Sequence, residues 1–154
     1  MDEEIEEIVN KLPVQNREYA FKILTQKKKE KELREKVHKH VCTLIEVVDI
    51  DELSPIMNDL DKTTWINIIE ERYISLMCGL PICPNPVEKP KNQKYIIDFE
   101  DVAIYENNSE ELKFCSKECR RYSNFLKAQL FDEPLWLRDT KIVKTFDMDI
   151  NNQK

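Results

Sequence analysis

The stretch Cys78-Gly-Leu-Pro-Ile-Cys83, CGLPIC, decides how this 154-residue chain is read. Its glycine is the single glycine of the whole sequence, where an average composition would supply about ten. A chain that avoids glycine elsewhere has placed one directly after a cysteine, inside a cysteine pair. Thirty-one residues further on lies a second pair, Cys115-Ser-Lys-Glu-Cys119. Two close pairs of thiols from two local structures supply the four tetrahedral ligands that Zn²⁺ takes in structural sites. Cys115 is expected just before a helix capped by Ser116, and Cys119 in its first turn, so both sulfurs can face one point. The positive end of that helix favours the negative charge of a tetrathiolate centre. The first pair requires a tight loop whose backbone N–H groups turn toward the Cys78 sulfur, and Gly79 is expected to supply a positive φ there. Cys78, Cys83, Cys115 and Cys119 are therefore expected to hold one structural Zn²⁺. Four thiolates leave no open position for water, which excludes a catalytic role for that ion.

Working outward, the composition specifies helix. Charged residues make up 35% of the chain and apolar residues 41%, enough for a core, and the formal net charge is −6. An acidic balance argues against direct nucleic-acid binding, where a basic face is expected. The first nine residues, MDEEIEEIV, are acidic and lack an apolar signal core, and no apolar run reaches membrane-span length, so a soluble intracellular setting is expected. There, cysteine pairs serve metals more readily than disulfides.

The pattern predicts an acidic helix over residues 2–11, stopped by Pro13, and a long helix over 16–48 with an apolar stripe at Leu33, Val37, Val41, Leu44, Ile45 and Val48. Cys42 lies along that stripe and is expected in the core. His38 and His40 are expected on the surface, and two residues apart on a helix they cannot chelate together. A short helix over 52–60 with Pro55 in its first turn follows, then another over 65–77 capped by Thr63 or Thr64. Four prolines between residues 78 and 93 make a rigid loop. Two short strands are expected at 94–99 and 102–106, turns at 98–101 and 107–110, and a third strand at 112–114. A helix runs from Ser116 to Leu130, and EPLWLRD opens a last short one. The expected fold is mainly α with a small β element around one zinc site, with a long N-terminal helix. The expected organisation is an acidic extension (1–15), one domain (16–143) and a flexible polar tail (144–154).

The order EER (70–72), five residues, CGLPIC, then FCSKEC (114–119), a helix ending AQL (128–130) and EPLWLR (133–138) resembles one family. These are the atypical phosphatases of the RNA polymerase II C-terminal repeat domain, which include the yeast regulator-of-transcription protein and the animal RNA-polymerase-II-associated protein. The resemblance covers roughly residues 30 to 140. Leu80 stands where that family has an aromatic residue, Tyr73 replaces a small polar one, and Cys119 is the fourth ligand, as in the animal proteins. The resemblance implies a helical domain around one structural zinc, removal of phosphate from the heptad repeats of the polymerase's largest subunit, chiefly at the fifth-position serine, shuttling between cytoplasm and nucleus, and a part in polymerase assembly. The alternative is a non-catalytic, zinc-stabilised binding factor for the polymerase.

No C-x5-R loop, aspartyl-nucleophile motif or two-metal histidine set is present. What remains for chemistry is Glu71 as base or orienter, Arg72 as a phosphate ligand, and Lys117, Arg120 and Arg121 around a helix start that suits an anion. The competing reading makes Glu71 and Arg72 a structural ion pair bracing the zinc loop.

Overall fold

The computed structural model describes residues 2–88, 95–100, 103–106 and 110–150. Helix α1 (Asp2–Asn10) buries Ile5 and Val9 and folds back along the next helix. The link is closed by Arg17, whose guanidinium donates to the carbonyls of Leu12 (3.0 Å) and Asn10 (3.2 Å). Helix α2 (Val14–Ile45) is the expected long helix, and its charged middle stands in solvent. Its stripe faces inward with Val37 and Leu44 buried and Leu33, Val41 and Ile45 half-buried. Cys42 lies off that stripe and is exposed, not in the core as expected. Three residues beyond the helix end, Val48 still reaches the core.

Helix α3 (Ile50–Ile56) starts two residues earlier than expected, so Pro55 falls in its second turn and the chain tightens into a 3-10 turn (Met57–Asp59). Helix α4 (Lys62–Ile74) is capped by Asp61, whose carboxylate accepts the Thr64 backbone N–H; neither Thr63 nor Thr64 is the cap. The cap lies one turn upstream because a carboxylate three residues before the N–H it accepts meets the cap geometry. Trp65, Ile68 and Ile69 of α4 form the centre of the core with Leu53, Met57, Leu60, Phe125, Leu126 and Leu130. The Trp65 indole N–H is satisfied by the buried Ser123 hydroxyl at 3.0 Å.

Strands β1 (Tyr95–Asp98) and β2 (Ala103–Glu106) pair antiparallel, Tyr95 opposite Glu106. The turn expected at 107–110 lies outside the described residues except for its last position. Residues Glu110–Lys113 form a 3-10 turn in place of the expected third strand, because Phe114 must swing into the core and Cys115 toward the other thiols. Helix α5 (Lys117–Gln129) carries Ser116 as its cap, accepting from the Cys119 N–H at 3.2 Å. EPLWLRD supplies one 3-10 turn (Leu135–Leu137), with Trp136 under the Arg34 guanidinium, 4.7 Å from the ring centroid.

The segment after residue 143 is not a loose tail where it is described. Phe146, Met148 and Ile150 pack against the core at alternate positions. Lys144 exchanges backbone hydrogen bonds with the Asn58 side chain, and Gln129 does the same with Asp147. The Tyr122 hydroxyl donates to the Met148 carbonyl. Among the described residues no helix is long and apolar enough to cross a membrane.

Candidate metal centre

Helix α4 ends in a Schellman turn. The Leu76 N–H reaches the Tyr73 carbonyl (2.9 Å), the Met77 N–H reaches that of Arg72 (2.9 Å), and Leu76 adopts φ 59°. A leucine in the left-handed region costs about 1–2 kcal/mol. The chain then forms a knuckle. Met77 pairs with Pro86, the Cys78 N–H donates to the Asn85 carbonyl (2.9 Å), and the Cys83 N–H donates to that of Leu80 (2.9 Å).

Gly79 does not take a positive φ. It is required by proximity: a Cβ there would lie 2.9 Å from Phe114 Cε1, 3.0 Å from Ile69 Cγ2 and 3.2 Å from the Lys113 carbonyl. The Gly79 N–H donates to that same carbonyl at 2.7 Å. The glycine thus lets the first cysteine loop press directly on the segment that delivers the second pair.

The sulfurs of Cys78, Cys83, Cys115 and Cys119 all lie within 4.8 Å of one another. Cys83–Cys115 and Cys115–Cys119 are each 3.5 Å apart. A tetrahedron with metal–sulfur bonds near 2.3 Å has edges of about 3.8 Å, so the cluster matches a four-thiolate metal site with little movement. Outer hydrogen bonds orient the donors. The Cys115 N–H (3.4 Å) and the Leu80 N–H point at Cys78 Sγ, and the Asn85 amide donates to Cys115 Sγ at 3.6 Å. Asn85, between two prolines, carried no sequence signal as a supporting residue.

Burial raises Cys78 above the ordinary thiol value and pushes Cys119 well above it. Burial acts the same way on Cys115, but hydrogen bonds from Asn85 and the other three thiols outweigh it and bring Cys115 to about 7. A bound divalent cation would displace the remaining protons.

Arg72 is the buried hub of this region, with no exposed surface. Its Nε donates to the Cys78 carbonyl (2.6 Å), Nη2 to that of Cys83 (2.9 Å), and Nη1 to those of Leu44, Ile45 and Glu46, each 2.9 Å. One guanidinium thereby ties the cysteine loop to the C-terminus of α2, whose last carbonyls have no partner within the helix. Burial lowers its pKa, while the Cys78 and Cys83 sulfurs favour its charge. The expected role of Arg72 as a phosphate ligand is corrected: its donors are spent on carbonyls inside the protein. It does brace the metal loop, though through these carbonyls and not through an ion pair with Glu71.

Glu71 points the other way and is exposed. It lines a groove of about 610 Å³ between α2 and α4 together with Arg34, His38, Cys42, Asn67 and Trp136. Lys117 and Arg121 are exposed on the first turns of α5 and Arg120 is half-buried. None of the three lines that groove, so the structure does not gather the five expected site residues around one cavity. His40 is half-buried against Asp59 (2.8 Å), whereas His38 lies 3.7 Å from Cys42, so the two histidines diverge as expected.

A family profile described as the Rtr1/RPAP2 family matches residues 58–131. A Drosophila melanogaster protein named, provisionally, an RNA polymerase II subunit B1 CTD phosphatase and RPAP2 homolog is 31% identical over 114 residues, covering 73% of this chain and 79% of that protein. The chain belongs to the Rtr1/RPAP2 family. A Caenorhabditis elegans member, rpap-2, provisionally named for the same activity, is 34% identical over 110 residues, 71% of this chain and 24% of that protein. The chain thus spans about a quarter of that longer relative. The crystal structure of transcription regulator protein Rtr1 from Kluyveromyces lactis superimposes with a TM-score of 0.54 at 21% identity, covering 76% of this chain and 77% of that one, which shows a shared fold. The profile spans α4, the metal loop and α5, the elements that build the thiol cluster.

Proposed function

We propose that this chain removes phosphate from serines of the heptad-repeat C-terminal domain of RNA polymerase II's largest subunit, chiefly at the fifth position, and so regulates transcription. Membership of the Rtr1/RPAP2 family, whose relatives are provisionally named RNA polymerase II subunit B1 CTD phosphatases, is the observation that carries this reading. The ion of the thiol cluster is proposed to be Zn²⁺, since four sulfur donors in tetrahedral array suit a borderline-soft d¹⁰ cation. Its role is to hold the knuckle against α5.

Chemistry is proposed for the groove between α2 and α4. Glu71 is the carboxylate available to orient water there, and on the facing helix His38 and Arg34, the latter exchanging its pairing with Glu30 (2.7 Å), meet the phosphoryl oxygens. Lys117, Arg120 and Arg121 offer a second cationic surface for the rest of a phosphorylated peptide. The protein is proposed to work in both cytoplasm and nucleus and to contact the polymerase without contacting nucleic acid.

The full burial of Arg72 among carbonyls favours a second reading, a non-catalytic assembly factor for the polymerase, because it removes the cation nearest the cysteine loop from phosphate chemistry. One assay separates the two. Metal-loaded protein is incubated with a heptad-repeat peptide phosphorylated at the fifth-position serine, and released phosphate is followed. Turnover that Glu71→Ala lowers at least tenfold, with the metal retained, supports the enzyme. Binding to polymerase or peptide without turnover supports the assembly factor.

A further inference from the structure

The polar segment after residue 143 is held in the manner of a bound peptide. From residue 142 to residue 149 it belongs to no helix or strand. Phe146, Met148 and Ile150 are half-buried and the residues between them are exposed, the period of two of an extended chain. Its backbone is read by two side-chain amides. The Asn58 nitrogen donates to the Lys144 carbonyl (3.1 Å), and the Asn58 oxygen accepts the Lys144 N–H (2.9 Å). Gln129 makes the same pair of bonds with Asp147, at 2.8 and 2.7 Å. The Tyr122 hydroxyl donates to the Met148 carbonyl. Lys144 Nζ donates to the Gln129 carbonyl at 3.2 Å and lies 4.4 Å from the Phe131 ring centroid.

Hydrogen bonds to main chain give affinity whatever the sequence, and contacts at alternate side chains give selectivity, the division used in extended-peptide recognition. The seat is also larger than the segment it holds. A pocket of about 270 Å³ adjoins Asn58 and is lined by Leu33, Lys36, Leu135 and Arg138. Ile142 and Val143 edge it but stay 60% and 71% exposed, so the chain's own segment leaves it unfilled. None of Phe146, Met148 and Ile150 belongs to the fully buried centre of the core, so the segment can lift while that centre stays packed.

We infer that the surface made by α5 and the Met57–Asp59 turn is a binding site for an extended peptide of a partner protein. That peptide carries a lysine followed by apolar residues at the second, fourth and sixth positions after it, and apolar residues ahead of the lysine enter the empty pocket. Residues 144–150 are the ligand in cis, competing at an effective concentration of roughly millimolar. Asn58, Tyr122 and Gln129 do not line the groove between α2 and α4, so this inference stands apart from the phosphatase reading.

The test uses the full chain and a fluorescein-labelled peptide of residues 142–150, IVKTFDMDI. In the Phe146→Ala/Met148→Ala/Ile150→Ala variant the cis segment has lost its anchors, and anisotropy should show saturable binding. Binding to the parent should be at least tenfold weaker, because the cis segment competes. Adding Gln129→Ala to the triple variant removes two hydrogen bonds and should weaken binding about tenfold. Dropping the two leading residues of the peptide should also weaken it, and a peptide with the three apolar residues made consecutive should not bind. In the parent, amide hydrogen exchange at Lys144 and Asp147 should accelerate as excess peptide displaces the segment; this reading decides the matter if the triple variant does not fold. A folded triple variant that fails to bind, equal binding of the rearranged peptide, or exchange at Lys144 and Asp147 that excess peptide leaves unchanged each overturns the site. A parent protein that sediments as a dimer assigns the seat to a second copy's segment and overturns the partner peptide.

Discussion

Replacing Arg72 by methionine tests the architecture most directly. Methionine keeps the apolar stem and removes all five donated hydrogen bonds. The carbonyls of Ile45 and Glu46 are partly buried and can recover water. Those of Leu44, Cys78 and Cys83 are buried and cannot. Each stranded carbonyl costs ~1–3 kcal/mol, giving a range of roughly 3–9 kcal/mol for the three. Removing a buried charge also returns its own desolvation cost, so the lower end is expected, a loss of about 3 kcal/mol. That is a large share of a total stability of about 5–15 kcal/mol. For a chain of this size it lowers Tm by roughly 6–12 °C. Arg72→Lys, which keeps the charge but has three donors on one point and no planar fork, should fall between the two. Urea denaturation of metal-loaded protein measures the stability, and competition with a chromophoric chelator measures metal affinity, which should fall in parallel. If Arg72→Met stayed within ~1 kcal/mol of the parent with metal affinity intact, the clamp reasoning would be refuted. If it also lost phosphopeptide binding, the guanidinium would have to face ligand after all.

Three further outcomes follow from the same geometry. Gly79→Ala should cost ~1–3 kcal/mol by overpacking against Phe114, Ile69 and the Lys113 carbonyl, while Leu76→Gly should change stability by ~1 kcal/mol or less; thermal melts that reverse this order would return the positive-φ role to Gly79. In metal-free protein, Cys115 should be the first thiol alkylated, with a midpoint near the value of about 7. Because its folded pKa is depressed from the ordinary thiol value of 9.0, the stability it contributes is complete above pH 9 and is lost as pH falls through 7; a metal-free stability curve flat across that window, or another cysteine reacting first, would contradict it. Removal of residues 144–154 strips Phe146, Met148 and Ile150 from the core surface and should cost ~2–4 kcal/mol, since each is half-buried and full burial of such side chains is worth ~1.5–3 kcal/mol; an unchanged urea midpoint would return the segment to the loose tail that its polarity suggests.

The metal cluster was legible in the chain because its signal is local. Spacing, a serine cap and a rigid proline-rich loop are properties of neighbouring residues, and they placed four thiols together without reference to the rest of the fold. The helices of α1, α2 and α5 were legible for the same reason, through apolar periodicity and caps. The hairpin followed from two short β-type runs. Signals that failed were those in which a residue's use depends on a partner distant in the chain. Phe146, Met148 and Ile150 alternate in a polar context, and only the core they pack against shows that they are anchors. The Asp61 cap is local, but Thr63 and Thr64 beside it are residues of equal capping type, so the sequence does not single it out.

The sequence by itself determined a helical chain with a four-thiol centre and the family to which it belongs, since propensity, capping and ligand spacing act over a few residues. The tertiary structure decided what the charged and special residues are for. Arg72 and Glu71 are adjacent in sequence, yet successive helix positions point about 100° apart, which sends one into the core as a clamp and the other into an open groove. Gly79 and Leu76 divide in the same way: close approach to Phe114 selects the glycine, and a helix terminus imposes the positive φ on the leucine. For Arg72 and Gly79 the deciding contact spans elements far apart in the chain, and no local pattern encodes it.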